Sequence, residues 1–260
     1  MNGKEVRLSR ILRNGKALII PMDHGVSMGP VKGLVDMNDT VSKVVEGGAS
    51  AVLLHKGIIR SLKTVPNCGL IAHFSASTAL GPDSNKKVRT GSVEEAIRLG
   101  VDAVSLHINI GCKTEPEMLL KLGEFADKCD QWQIPLIAMM YARGENVKDP
   151  LDSKTIAMVA RIGAELGADI VKCNYTGSPE TFKDIVRGCP VPIVIAGGEK
   201  ADNDRAVLEM VEGAMKSGCI GLTFGRNVFQ HDNPIGIVQA IAKIVYDEWT
   251  VDETLEVVKI

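Results

Sequence analysis

Four junctions in this chain repeat one theme: EGGASAV at 46–52, RLGVDAV at 98–104, ELGADIV at 165–171 and SGCIGL at 217–222. In each, a helical pattern ends at glycine and a short apolar run begins within a few residues. Glycine closes a helix well because the residue just past the last turn is often left-handed, where a Cβ is penalised. A recurring unit of helix, glycine and strand makes parallel strands joined by crossover helices. Eight runs qualify as strands: ALIIPM (17–22), AVLLH (51–55), GLIAHF (69–74), AVSLHI (103–108), PLIAMMY (135–141), DIVKCN (169–174), PIVIAG (192–197) and GLTFG (221–225). Amphipathic stretches such as SVEEAIRLG, DSKTIAMVARIGAELG and DRAVLEMVEGAMKSG separate most of them, and the helical pattern is weak only between the second and third. Ser92 with Glu95, and Asp152 or Ser153, mark helix starts. The expected fold is a TIM (β/α)8 barrel. No linker or low-complexity segment interrupts the series, so residues 1–260 read as a single domain with a short N-terminal extension and a C-terminal helix. That helix, over 233–249, is amphipathic and offers a candidate subunit interface.

Composition narrows the function. Hydrophobic residues make up 45% and charged residues 24%, with a formal net charge of −2, which argues against disorder, a nucleic-acid platform or an anionic-membrane binder. Any phosphate recognition must therefore be local. The six cysteines, at 68, 112, 129, 173, 189 and 219, form no CxxC pair and read as reduced thiols, which predicts a cytoplasmic protein. The apolar run near the N-terminus is too short for a membrane span and lacks a signal-peptide pattern.

In such a barrel the active site lies at the C-terminal ends of the strands, so position filters the candidates. Collected there are Asp23 and His24, His55 and Lys56, His73, His107 and Asn109, Tyr141 and Arg143, Lys172 and Tyr175, Gly197 and Gly198, and Gly225, Arg226 and Asn227. Lys172 stands out, because an ammonium in an otherwise apolar strand is costly to desolvate. It is either a snorkelling or ion-paired lysine, or an amine placed to attack a carbonyl and form a Schiff base. Alternation along the strands puts Ile19, Pro21 and Asp23 on one face, Ile137, Met139 and Tyr141 on one face, and Ile170, Lys172 and Asn174 on one face. If these faces point inward, a carboxylate, a phenol and an amine meet at the mouth, which is the set that Schiff-base chemistry needs. Each residue taken alone also has a plain structural reading, Asp23 as a turn cap and Tyr141 as an amphipathic core residue. IAGGEK and TFGRN are the candidate phosphate loops, since glycine-bearing loops after strands seven and eight present backbone N–H groups. His24, His55, His73 and His107 raise a competing metal reading, which no HxH or HxxxH spacing supports.

Taken together, PMDHGVSMGPVKGL, AVLLHKGIIR, PLIAMMYARG, GAELGADIVKCNYTGSPETF, IAGGEK and GRNVFQHDNP resemble the archaeal-type class I aldolases of the DeoC/FbaB family, nearly end to end. PMDHGVS and LLHKGI lean toward its transaldolases, which supply an intermediate of an alternative route to 3-dehydroquinate and aromatic amino acids, rather than toward its fructose-bisphosphate aldolases. The resemblance implies Lys172 as the Schiff-base lysine, Tyr141 as proton donor and Asp23 as proton acceptor. His24, Gly25, Val26, Ser27, Ala142, Arg143, Gly197, Gly198, Gly225 and Arg226 would contact the sugar phosphate. It further implies sugar-phosphate and aldehyde substrates, no cofactor, no metal, no nucleic-acid or membrane partner, and a cyclic homo-oligomer, often a decamer. Two residues depart from the family pattern: Ala142 stands where proline is usual, and Glu199 puts a negative charge beside the phosphate loop.

Overall fold

Capped amphipathic helices and buried apolar strands alternate along the computed structural model, which describes all 260 residues. The chain opens with α1 (Gly3–Ile11), β1 (Ala17–Pro21), α2 (Gly25–Met28), α3 (Met37–Glu46), β2 (Ala51–His55) and α4 (Lys56–Ser61). There follow β3 (Gly69–His73), a two-stranded antiparallel ribbon of β4 (Ser75–Ala76) and β5 (Val88–Arg89), α5 (Val93–Leu99), β6 (Ala103–Ile110) and α6 (Glu115–Gln131). The second half contains β7 (Leu136–Ala142), α7 (Ser153–Glu165), β8 (Ile170–Asn174), α8 (Pro179–Gly188), β9 (Ile193–Ala196) and α9 (Asp204–Lys216). It ends with β10 (Gly221–Thr223), α10 (Arg226–Phe229), α11 (Pro234–Asp247) and α12 (Val251–Val257).

Eight strands close in the order β1-β10-β9-β8-β7-β6-β3-β2, all neighbours parallel. This is the expected barrel. Ile19, Leu53, Ile71, Ile137, Ile170 and Val194 fill its interior, while the alternate residues, such as Leu18, Val52, Val104 and Val171, face the helices. The quasi-repeat has a structural cause. Ser50, Asp102 and Asp169 each stand one residue before a strand, and each accepts an N–H from the neighbouring strand: Leu18 (2.9 Å), Leu70 (2.9 Å) and Leu136 (2.8 Å). The junction thus ends a helix, starts a strand and pins its register to the next strand. Ser92 and Asp152 are N-caps, accepting the N–H of Glu95 and Thr155.

Three elements lay outside the expectation. α1 begins at a capping box of Asn2 and Glu5, then buries Ile11, with Leu8 and Leu12, against the interior at the N-terminal end of the barrel. Lys4 reaches Asp169 at 3.0 Å and Arg10 reaches Asp102 at 3.1 Å, so α1 stoppers that end. The β4–β5 ribbon comes from a polar, glycine- and proline-bearing stretch without periodicity. α4, six residues long, answers to the weak helical pattern between the second and third strands, and the β2–β3 pairing forms regardless. The apolar face of α11, including Ile237, Val238, Ile241 and Val245, packs within the subunit against α3, α9 and β1. All six cysteines are free, and five are buried. Burial pushes the thiols of Cys68 and Cys129 up to about 12. No helix is long and apolar enough to cross a membrane.

The β1–β10 seam closes the barrel, and it leaves no room at Gly221. A Cβ there would lie 1.8 Å from the Ala17 carbonyl oxygen, on a backbone with φ +152°. Gly221→Ala is therefore expected to destabilise the fold by at least about 2 kcal/mol, combining backbone strain with a forced shift of the seam. Urea unfolding followed by circular dichroism measures it; an unchanged midpoint would refute the tight seam.

Candidate active site

Most of the polar residues expected at the strand ends meet over a pocket of about 400 Å³ at the C-terminal mouth of the barrel. β8 carries Ile170 and Lys172 on its inward face, one pleat apart, so the lysine rises above the apolar layer and is 6% exposed. Its end opens into the pocket, and it forms no ion pair. Tyr141 follows Met139 on the inward face of β7 and is 7% exposed. Its ring lies 4.8 Å from the His107 ring on one contact and 4.8 Å from the Arg143 guanidinium on another, which fixes the phenol over the pocket.

Asp23, just past β1, faces His24 Nδ1 at 3.5 Å and His73 Nε2 at 3.7 Å. Burial by itself would raise its carboxyl, but the positive field of His73, His24, Lys172 and His55 overrides this and holds it well below the usual carboxylate range. Burial pushes His73 the other way, down to about 4, against the pull of Asp23. His73 Nδ1 lies 2.6 Å from Ser105 Oγ. When Ser105 donates to Nδ1, Nε2 carries the hydrogen and presents it to Asp23. His55 braces this pair through Nδ1 and the His73 carbonyl oxygen, 3.2 Å apart. No group of three or more His, Cys, Asp or Glu side chains is arranged to hold a metal ion. Three imidazoles gather about one carboxylate instead, and His107 packs on Tyr141.

The two glycine loops are locked together. Arg226 donates to the Gly198 carbonyl at 2.8 Å, and buried Asn227 donates to Gly197 and Glu199 carbonyls at 3.0 and 3.2 Å while accepting from Ala201 N–H at 2.8 Å. Gly198 is left-handed, with φ +64°. At Gly225 a Cβ would lie 2.7 Å from His24 Cε1, so glycine lets the loop after β10 approach the loop after β1. Arg226 leads α10 and lines the pocket, so its remaining N–H groups can face an anion.

Of the residues anticipated, Asp23, His24, Val26, Ser27, Tyr141, Arg143, Lys172, Gly197, Gly198, Gly225 and Arg226 line one pocket. Gly25 starts α2 outside the lining, and the Ala142 methyl faces the outer layer, where proline would meet helices rather than substrate. Lys56 points away, bound to the Thr90 carbonyl and Glu95. Tyr175 packs on Phe182 in the outer layer. Ser75, Ser77 and Lys87, which the ribbon brings to the pocket, escaped the reading of the residues; only an unexpected lysine in a loop after a barrel strand could have flagged them.

The model of the DeoC/LacD family aldolases matches residues 17–231, from β1 to just beyond α10. The chain belongs to the DeoC/LacD aldolase family. This aldolase is 43% identical to 2-amino-3,7-dideoxy-D-threo-hept-6-ulosonate synthase of Halobacterium salinarum, over 95% of its own length and 92% of the relative's. It is 43% identical to 2-amino-3,7-dideoxy-D-threo-hept-6-ulosonate synthase 1 of Archaeoglobus fulgidus, over 98% and 96%. Among solved structures, an archaeal fructose-1,6-bisphosphate aldolase with its catalytic Lys covalently bound to the carbinolamine intermediate matches with a TM-score of 0.89. That pair is 30% identical, covering 94% of this chain and 100% of the other.

The buried imidazoles make stability depend on pH. His73 takes its proton at about 4 in the folded protein against 6.5 ordinarily, so below pH 6.5 the unfolded chain binds the proton that the folded chain refuses. Its contribution is complete above pH 6.5 and is lost on acidification toward pH 4, by up to about 3 kcal/mol. Urea titrations from pH 8 to 4 should show this loss, shallower in His73→Gln. Equal stability at pH 7.5 and 4.5 would exclude a neutral buried imidazole.

Proposed function

We propose that this aldolase is a 2-amino-3,7-dideoxy-D-threo-hept-6-ulosonate synthase, a transaldolase that works through a Schiff base on Lys172. The observation that carries the reading is Lys172 itself: 6% exposed, without an ion-pair partner, and open to the same pocket as Asp23 and Tyr141. A lysine kept in the core for packing or pairing has no need of that opening.

The chemistry follows from the placement. The Lys172 amine adds to a ketone of a ketose phosphate such as 6-deoxy-5-ketofructose 1-phosphate, and the carbinolamine loses water to give the iminium. Asp23 accepts the proton of the hydroxyl next to the breaking bond. The bonding pair flows into the iminium, leaving an enamine on Lys172, and a three-carbon aldehyde phosphate departs. The enamine then attacks the aldehyde of L-aspartate semialdehyde, Tyr141 protonates the new alkoxide, and hydrolysis frees the amino acid product and the lysine. The loops at Gly197, Gly198 and Gly225, with Arg226, take phosphate. A second reading, fructose-bisphosphate aldolase, has the solved neighbours in its favour. Matched assays with aspartate semialdehyde and glyceraldehyde 3-phosphate as competing acceptors separate the two.

Borohydride added with ketose phosphate should trap a secondary amine on Lys172, located by peptide mass mapping. An adduct on Lys56, or none, would defeat the assignment. Tyr141→Phe keeps the ring that contacts His107 and removes the proton. Turnover should fall by roughly 10²–10⁴ while some adduct still forms on Lys172, whereas Lys172→Ala should lose both. Near wild-type turnover in Tyr141→Phe would make the phenol a packing residue.

A further inference from the structure

Lys87 has no part in the chemistry above, yet it lines the pocket. It ends the loop between the short strands β4 and β5, and that loop is fastened in place. Asn109 Nδ2, on β6, donates to the Asn85 carbonyl at 2.8 Å, and Ser77 Oγ donates to the Ser84 carbonyl at 2.8 Å. The Lys87 ammonium donates to Ser77 Oγ at 2.5 Å, and Arg143 lines the same pocket. Neither cation forms an ion pair with a carboxylate of the chain. Burial lowers the Lys87 pKa, and the adjoining Arg143 charge lowers it further, more than Asp23 and Asp83 restore. Two like charges held together in a half-buried pocket are stabilised when an anion settles between them.

The strand order places this pair. In the closed barrel β3 lies across from β9, and β6 across from β10. The Lys87 loop leaves β3 and is tied to β6, while Arg226 and the glycine loops follow β9 and β10. The mouth therefore has a cationic pole on each side, with Lys172 on the floor between them. Tyr141, which protonates the aldehyde oxygen as the new bond forms, lies under Arg143 and so on the Lys87 side. An aldehyde whose oxygen meets Tyr141 extends past it toward Arg143 and Lys87.

We propose that Lys87, with Arg143 and Ser77, forms a second anion subsite that receives the carboxylate or phosphate carried by the incoming acceptor aldehyde, separate from the loops that hold the phosphate of the ketose. The subsite rests on the Schiff-base reading and adds to it where acceptor specificity resides. Lys87→Met in the full-length enzyme tests it, with kcat/KM measured for three acceptors: aspartate semialdehyde, glyceraldehyde 3-phosphate and uncharged glyceraldehyde. The preference for charged over uncharged acceptors should fall by at least about tenfold, through KM. Lys87→Arg should restore most of it, and Lys56→Met, whose ammonium is tied to Glu95, should leave it unaltered. A loss confined to one charged acceptor supports the subsite and identifies the anion it takes. Equal losses for charged and uncharged acceptors, or an unaltered preference, would overturn the subsite while a borohydride adduct on Lys172 leaves the aldolase reading standing. Absence of that adduct in the unaltered enzyme would overturn both.

Discussion

The dry apolar layer beneath Lys172 is the constraint on which the site depends. Ile19, Ile71, Ile137 and Ile170 fill the barrel at that level, and α1 seals it from below. An amine standing on such a floor has a single direction in which to find polar company, namely the pocket. Side-chain alternation then does the rest. One pleat above Ile170 comes Lys172, and one pleat above Met139 comes Tyr141, so the change from packing to chemistry takes place across a single pair of residues on each strand. The strands can supply this because their register is pinned at the opposite end by Ser50, Asp102 and Asp169. A slip of one residue would turn Lys172 outward.

Charge is distributed in the mouth with similar economy. Asp23 is the deep carboxylate, and the imidazoles around it are braced through Ser105 and through the His73 carbonyl. Cations occupy both rims, from Arg226 on one to Lys87 and Arg143 on the other. Such an arrangement leaves a cation facing the pocket on either side of Lys172. Glu199, also on the rim, offers the one exposed negative charge in the lining.

Much of this was legible in the residues. The eight strands, the inward faces of Asp23, Tyr141 and Lys172, and the glycine loops all follow from periodicity and from the rule that function gathers at one end of a parallel barrel. What escaped did so for physical reasons. Lys87 reaches the pocket through a ribbon of two-residue strands, too short to show alternation, held by the tertiary bond from Asn109 to Asn85. α1 carries a capping box in its own sequence, but only the assembled barrel shows what its apolar side covers. The apolar stripe of α11 reads equally well as an interface or as a face turned inward, because periodicity records that a stripe is buried and not by what.

The stopper helix also sets an order of events. α1 precedes β1, yet its anchors are Asp102 and Asp169, and the interior it covers is complete only when β10 joins β1 at Ala17 and Gly221. The full set of contacts that holds α1 therefore exists only once strands distant in sequence have closed the barrel. Until then the lower end of the half-built barrel exposes apolar side chains, and so does the helix that will cover them. Final docking of α1 is thus a signature of completion, placed at the end of the molecule farthest from the chemistry.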